Sequence, residues 1–218
     1  MLEIIKLVLG PAATNTYFIG DQESKQAVVI DPAWDGAILA EKSHQLDWEI
    51  QSVWLTHAHF DHFGGLADLL TELDLSDQEG FFVGLHPEDM NLWRVKGGAP
   101  LFGISIKSTP KPSYKFQDGE TLSVGKYEFL VHHTPGHSRG HVVFHCPAEE
   151  VLFSGDLIFM QGIGRTDLPG GSYSTLMDSI RRCVLPLPDE TRILSGHGPE
   201  TTVGEERRLN PFLVYDDP

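Results

Sequence analysis

The chain has 218 residues, of which 40% are hydrophobic and 22% charged, enough for the core of one domain, and its 22 Gly and 14 Pro imply many loops. A formal net charge of −15 sets long-range repulsion against nucleic acid and anionic membranes, so neither is expected as a partner. Cys146 and Cys183 lack CxxC spacing and read as buried small hydrophobes, no apolar run reaches membrane-spanning length, and Met1–Lys6 lacks the order of a signal peptide. A cytoplasmic protein of one domain, residues 1–218, is expected.

The first thirty residues predict three short strands, 3–9, 14–19 and 26–30, divided by Gly10-Pro11 and Gly20-Asp21-Gln22. A helix is predicted over 35–45 and a short buried strand at Val53-Trp54-Leu55, with a helix opening at Leu66. Glu72, Asp74, Asp77 and Glu79 read as a solvated acidic loop. A strand at 81–85 leads to Pro87-Glu88-Asp89, a good helix start with two carboxylates in the first turn. Residues 96–118 are irregular yet rich in apolar side chains, the composition of a wall or lid over a site or of packing beneath a long loop. A hairpin-like stretch then runs to Val131, and segments 141–146 and 150–153 make a second antiparallel pair. Ser172 caps a helix stopped at Pro186, residues 191–194 form a last strand, and 203–209 a terminal helix.

The stretch Thr56-His57-Ala58-His59-Phe60-Asp61-His62-Phe63-Gly64-Gly65 concentrates the chemistry. Three imidazoles and a carboxylate follow an apolar strand directly, where α/β proteins place ligands. In extended backbone His57 and His59 point the same way and can close on one ion, while Asp61 and His62 lie past the bend and can face a second. Three further strand ends carry a potential ligand beside glycine: Thr134-Pro135-Gly136-His137-Ser138-Arg139-Gly140-His141, Ser154-Gly155-Asp156 and Ser195-Gly196-His197-Gly198.

Together, H-x-H-x-D-H, T-P-G-H-S-x-G-H, S-G-D and the late G-H-G resemble the metallo-β-lactamase superfamily. With Asn15-Thr16-Tyr17 and Gly162-Ile163-Gly164-Arg165-Thr166-Asp167, the pattern is similar to its glyoxalase II-like hydrolases. The resemblance implies an α+β fold, a four-layer αββα sandwich of two mixed sheets face to face with helices outside. It implies His57, His59 and His137 on a first metal, Asp61, His62 and His197 on a second, and Asp156 bridging, so that Asp61 and Asp156 also count as catalytic. His141 matches a motif position that does not ligate, which fits support or packing. Arg165 and Asp167 are expected to hydrogen-bond to ligand side chains and orient them. An all-N/O ligand set suits two divalent ions, zinc first and iron or manganese as alternatives.

The reaction expected is metal-dependent hydrolysis of a carbonyl compound. A thiolate leaves without a proton donor, because its conjugate acid has a pKa of about 8.5, and the motifs offer no extra acid for an amine, so a small-molecule thioester is the expected substrate. The resemblance makes it a thioester of hydroxyacylglutathione type. Full glyoxalase II enzymes carry a C-terminal helical glutathione-binding domain, whereas here only residues 198–218 follow His197. Thiol-side contacts would then fall to loop 96–118 or to Arg207 and Arg208. The rivals are a persulfide dioxygenase, with one iron on His57, His137 and Asp156, and a lactonase or other ester hydrolase. Dioxygenases of that type follow G-R-T-D with Phe-Gln, where this chain has Leu168-Pro169.

Overall fold

The computed structural model describes residues 1–214, apart from the side chain of Asp77, the one acidic-loop member that lies outside the described residues. The elements in order are β1 (Leu2–Leu9), β2 (Thr14–Asp21), β3 (Gln26–Ile30), α1 (Gly36–Leu46), β4 (Glu49–Trp54), α2 (Phe60–Phe63), α3 (Leu66–Glu72), β5 (Phe82–Leu85), α4 (Met90–Arg94), β6 (Tyr114–Lys115) and β7 (Thr121–Val124). There follow β8 (Tyr127–His133), β9 (Val142–Cys146), β10 (Val151–Gly155), β11 (Ile158–Phe159), β12 (Gly162–Ile163), α5 (Tyr173–Cys183), β13 (Arg192–Ser195), β14 (Thr201–Thr202), α6 (Val203–Leu209) and α7 (Pro211–Val214).

Two six-stranded sheets form, in the orders β1-β2-β3-β4-β5-β6 and β14-β13-β10-β9-β8-β7. The inner strands β2, β9 and β10 are buried along their whole length because both faces are covered, so alternate residues serve different layers. In β2, Phe18 packs outward with Leu39 of α1 and Leu66 and Leu69 of α3, while Tyr17 and Ile19 face the space between the sheets. In β9 and β10, Val143 and Leu152 pack outward against Leu176 and Ile180 of α5, while Phe144 and Phe153 face inward. The inner layer is aromatic: Trp54 meets Phe129 at 5.4 Å and Phe144 at 5.2 Å. The result is the expected αββα sandwich of α+β class.

β4 begins at Glu49, earlier than the apolar run predicts. Ser52 can be buried in it because its hydroxyl accepts a hydrogen bond from the Trp54 indole at 2.8 Å. The hairpin β11–β12, strand β14 and helix α7 are too short to carry a periodic signal in the sequence. Residues 96–102, expected to be irregular, wind into a 3-10 segment around Gly97 and Gly98, both in left-handed backbone. Among the described residues, no helix is long and apolar enough to cross a membrane.

Strand directions decide where the ligating motifs go. β8 and β10 flank antiparallel β9, and β13 runs parallel to β10, so all three end at the same edge. The loop after β4 reaches that edge from the other sheet, where Val142 N–H donates to the Thr56 carbonyl at 2.8 Å. Thr14 of β2 also forms an isolated antiparallel bridge with His197.

Candidate metal centre

Four loops meet at this edge and bring together all seven sequence-predicted ligand residues. His57, His59 and His137 form one group of converging ligand atoms, Asp61, His62 and His197 a second, and His57, His62 and Asp156 a third between them, each within 4.8 Å. Nε2 of His137 lies 2.8 Å from Nδ1 of His59 and 3.2 Å from Nε2 of His57. One carboxylate faces both groups: Oδ2 of Asp156 lies 3.5 Å from Nε2 of His137 and 3.5 Å from Nε2 of His197. Asp61 Oδ2 completes the second group, 3.4 Å from His197 Nε2 and 3.8 Å from His62 Nε2.

Hydrogen bonding behind the cluster sets which ring nitrogen faces inward. Asp31, in left-handed backbone at φ 51° before Pro32, accepts from Thr56 N–H at 2.8 Å, from Thr56 Oγ1 at 2.7 Å and from His62 Nδ1 at 2.8 Å. The Thr56 hydroxyl has then given up its one hydrogen, so at 2.9 Å it accepts from Nδ1–H of His57. Nδ1–H of His137 donates to the Arg165 carbonyl at 2.9 Å. In the neutral rings, Nε2 of His57, His62 and His137 is thereby the lone-pair donor aimed at the cluster, as metal ligation requires. Nε2 of His62 and Oδ1 of Asp156 are buried without a hydrogen-bond partner, an arrangement that a bound cation satisfies. The donor set, imidazole nitrogen plus carboxylate oxygen, fits a pair of divalent ions.

The electrostatics divide along the same line. Burial, reinforced by neighbouring imidazoles, pushes His57 well down and His59 down to about 3, so both are neutral donors. Burial also disfavours charge on His62, but the Asp156, Asp31 and Asp61 carboxylates prevail and hold its pKa well up. Asp61 is held down to about 2 against its own burial by His62 and His197, and Asp156 is pushed below the usual carboxylate range by the same pair with His137.

His141 is not among the converging groups, because both of its nitrogens are engaged. Nε2 accepts from Asp156 N–H at 3.0 Å, so Nδ1 carries the hydrogen and donates to Thr134 Oγ1 at 2.8 Å. It therefore holds the Asp156 backbone in place. Gly155 allows this approach: at φ 47°, a Cβ there would lie 2.7 Å from Thr56 Oγ1 and 2.8 Å from His141 Nε2.

Two expectations need correction. The Arg165 side chain and Asp167 do not hydrogen-bond to ligand side chains; they pair with each other at 2.7 and 2.8 Å near the surface. Arg165 supports His137 through its main-chain carbonyl, which any residue could supply. Arg207 and Arg208 are not among the residues lining the cleft, and Arg207 is bonded to Asp189 and, at 2.6 Å, to the Leu187 carbonyl. Asp89, by contrast, has a sufficient local signal in the sequence, a carboxylate at a helix start, which masks its role. Buried, it accepts from Ala58 N–H at 2.9 Å, Ser138 Oγ at 2.7 Å and Gly140 N–H at 2.6 Å, tying the loop of His57 and His59 to that of His137.

A family model for the metallo-beta-lactamase superfamily matches residues 9–197. The chain belongs to the metallo-beta-lactamase superfamily. Within it, the hydroxyacylglutathione hydrolase GloC of Haemophilus influenzae is 37% identical over 205 residues, covering 91% of this chain and 92% of that protein. Two solved structures are similar over nearly their whole length. The BLEG-1 B3 metallo-beta-lactamase has a TM-score of 0.87 and 38% identity, covering 97% of this chain and 99% of the other. TTHA1623 in a di-iron-bound form has a TM-score of 0.85 and 40% identity, covering 96% and 100%. The chain is thus a metallo-hydrolase of this superfamily with a metal-binding His/Asp cluster.

In this metallo-beta-lactamase fold the cluster opens onto a cleft of about 510 Å³. His59, Asp61, His137, Asp156 and His197 form its floor, and Arg165 is the one cationic side chain among its lining residues. Phe60 and Phe102 stand on one side, their rings 5.5 Å apart, with Phe159, Ile163 and Leu168 among the other lining residues. Phe102 belongs to the 96–102 segment, so that part of the 96–118 stretch does form a wall.

Proposed function

We propose that the protein hydrolyses small-molecule thioesters of hydroxyacylglutathione type at a dinuclear centre. His57, His59 and His137 hold one divalent ion, Asp61, His62 and His197 hold the other, and Asp156 lies between them. The observation that carries this reading is the position of Asp156 Oδ2, 3.5 Å from an imidazole nitrogen of each group. Zinc is the first candidate for both ions, with iron or manganese as alternatives, since no thiolate is present to select among them.

When bound, two such ions supply hydroxide at neutral pH and polarise a carbonyl oxygen. The chain itself contributes alignment. Asp31 and Thr56 keep His57 and His62 in the ligating tautomer, Asp89 sets the spacing of two ligand loops, and His141 holds the Asp156 backbone. The carbonyl end of the substrate sits over His59, Asp61 and His137, and its apolar part lies between the aromatic walls. The name of the GloC relative supports the thioester reading. So does the cleft: its polar side chains are ligands or Arg165, and a guanidinium is too weak an acid to protonate a departing amine. A thiolate needs no such donor.

The similarity to BLEG-1 favours a second reading, β-lactam hydrolysis on the same centre. Metal analysis of the purified protein, with side-by-side assays on lactoylglutathione, a β-lactam and glutathione persulfide, separates the alternatives. Two metals per chain with thioester cleavage is the expected result. One iron with oxygen uptake, or preference for the β-lactam, would overturn it.

A further inference from the structure

The chain beyond residue 197, where the family match ends, reaches back to the cleft through two buried side chains of the C-terminal region. Glu206 of α6 accepts a hydrogen bond from Gln161 N–H at 2.8 Å and from Thr201 Oγ1 at 2.6 Å. Asn210, directly after α6, donates from Nδ2 to the Gly162 carbonyl at 3.0 Å and to Glu206 Oε2 at 2.8 Å. Both are essentially inaccessible to solvent, Glu206 at 1% and Asn210 at 0% relative exposure. Gln161 and Gly162 lie at the turn of the β11–β12 hairpin, where Phe159 pairs with Gly162 and Ile158 with Ile163. Gln161 takes the left-handed backbone at φ 54°, an unfavourable state for a non-glycine residue that persists when its surroundings fix it.

The hairpin supplies two apolar side chains to the cleft, Phe159 and Ile163. Phe159 also stands beside His197, with ring centroids 6.1 Å apart. Two strands of two residues each cannot hold a hairpin rigid by their own ladder. What fixes it is a carboxylate and an amide behind it, one accepting from its N–H and the other donating to its C=O. The carboxylate is itself anchored, because Thr201 and Asn210 also donate to it. Ile163 is further backed by the cluster containing Val203 and Leu213, so the helix packs on the same hairpin it hydrogen-bonds.

We propose that Glu206 and Asn210 are positioning residues for substrate selectivity. They hold Phe159 and Ile163 as a fixed wall, so that, among hydroxyacylglutathione-type thioesters, the enzyme prefers those whose acyl group carries an apolar chain long enough to reach that wall. The inference rests on the thioester reading above.

The test uses the full chain, metal-loaded, with S-acylglutathiones from acetyl to octanoyl. Glu206→Ala and Asn210→Ala should raise KM for the octanoyl compound roughly fivefold or more, with kcat, metal content and KM for the acetyl compound changed less than about twofold. Glu206→Gln, which keeps an acceptor for Gln161 N–H, should recover most of the loss. A non-hydrolysable S-alkylglutathione should lose affinity in parallel by calorimetry, and the Gln161 amide should exchange faster with solvent. If the alanine variants are unstable, Phe159→Ala on the accessible side of the same hairpin should produce the same chain-length effect. Equal changes for acetyl and octanoyl compounds, or a joint fall in kcat and metal content without a KM split, would overturn the proposal. Failure of the unaltered protein to cleave any thioester would sink the parent reading instead, and the S-alkylglutathione affinities would still report on the wall.

Discussion

Oδ2 of Asp31 lies 2.8 Å from Nδ1 of His62, and the same oxygen accepts from the Thr56 hydroxyl that orients His57. One carboxylate therefore sets the tautomer of an imidazole in each ligand group. Asp31→Ala should weaken binding of both metals by about 10–100-fold, the range typical for removing an outer hydrogen-bond partner of a ligand. Competition with a chelator measures this, and unchanged affinity would exclude the role.

His197 belongs only to the group with Asp61 and His62, whereas His57 also faces His59 and His137. His197→Ala should reduce occupancy of the second metal more than the first. Metal-to-protein stoichiometry by mass spectrometry checks it, and equal loss of both in a folded protein would undo the partition.

His62 must be neutral to ligate, yet Asp156, Asp31 and Asp61 overcome its burial and favour its charged form. Metal loading at pH 7 should release about one proton per chain on this account, and His62→Ala should remove that release. Calorimetry in buffers of different ionisation enthalpy measures it. For the metal-free protein the signs differ by residue. With its folded pKa raised, His62 contributes stability that is full below pH 6.5 and lost as pH rises through the folded value. With His59 at about 3, the unfolded chain takes the proton first, so stability falls as pH drops from 6.5 towards 3.

Asp89 satisfies three donors from two ligand loops. Asp89→Ala leaves two buried backbone N–H groups unpaired, a loss of roughly 2–6 kcal/mol at about 1–3 kcal/mol each. Denaturant unfolding should register that loss together with reduced metal retention. A stable variant with full metal content would refute it.

Gly97 sits at φ 61°, where a Cβ would come within 2.3 Å of the Phe60 nitrogen and 2.6 Å of the Ala58 carbonyl oxygen. Both are backbone atoms of the ligand loop and cannot swing away. Gly97→Ala should displace the segment carrying Phe102, raising substrate KM and destabilising the protein by about 1–3 kcal/mol. Steady-state kinetics and thermal melting read both effects.

Sequence alone picked out the seven candidate ligands and predicted one shared centre, where their ligand atoms converge. Each motif follows an apolar strand and carries a glycine, and that information is local, as is the helix cap at Ser172. Only the tertiary structure decided what holds the ligands. Asp31 acts 25 residues from Thr56, and Asp89 acts 31 residues from Ala58 and 49 from Ser138. An Asp before a proline has a sufficient local explanation, so the sequence leaves the distant role of Asp31 open, and the helix start at Asp89 hides one altogether. Arg165 and Asp167 illustrate the converse: side chains that suggested site support pair with each other, and the contact that matters comes from a carbonyl. The cleft wall on the β11–β12 hairpin was equally hidden, because that hairpin is too short for any periodic signal and is fixed by Glu206, 45 residues away from Gln161. Ligand identity is a property of residue type and spacing, whereas orientation and substrate shape arise from contacts between segments far apart in the chain.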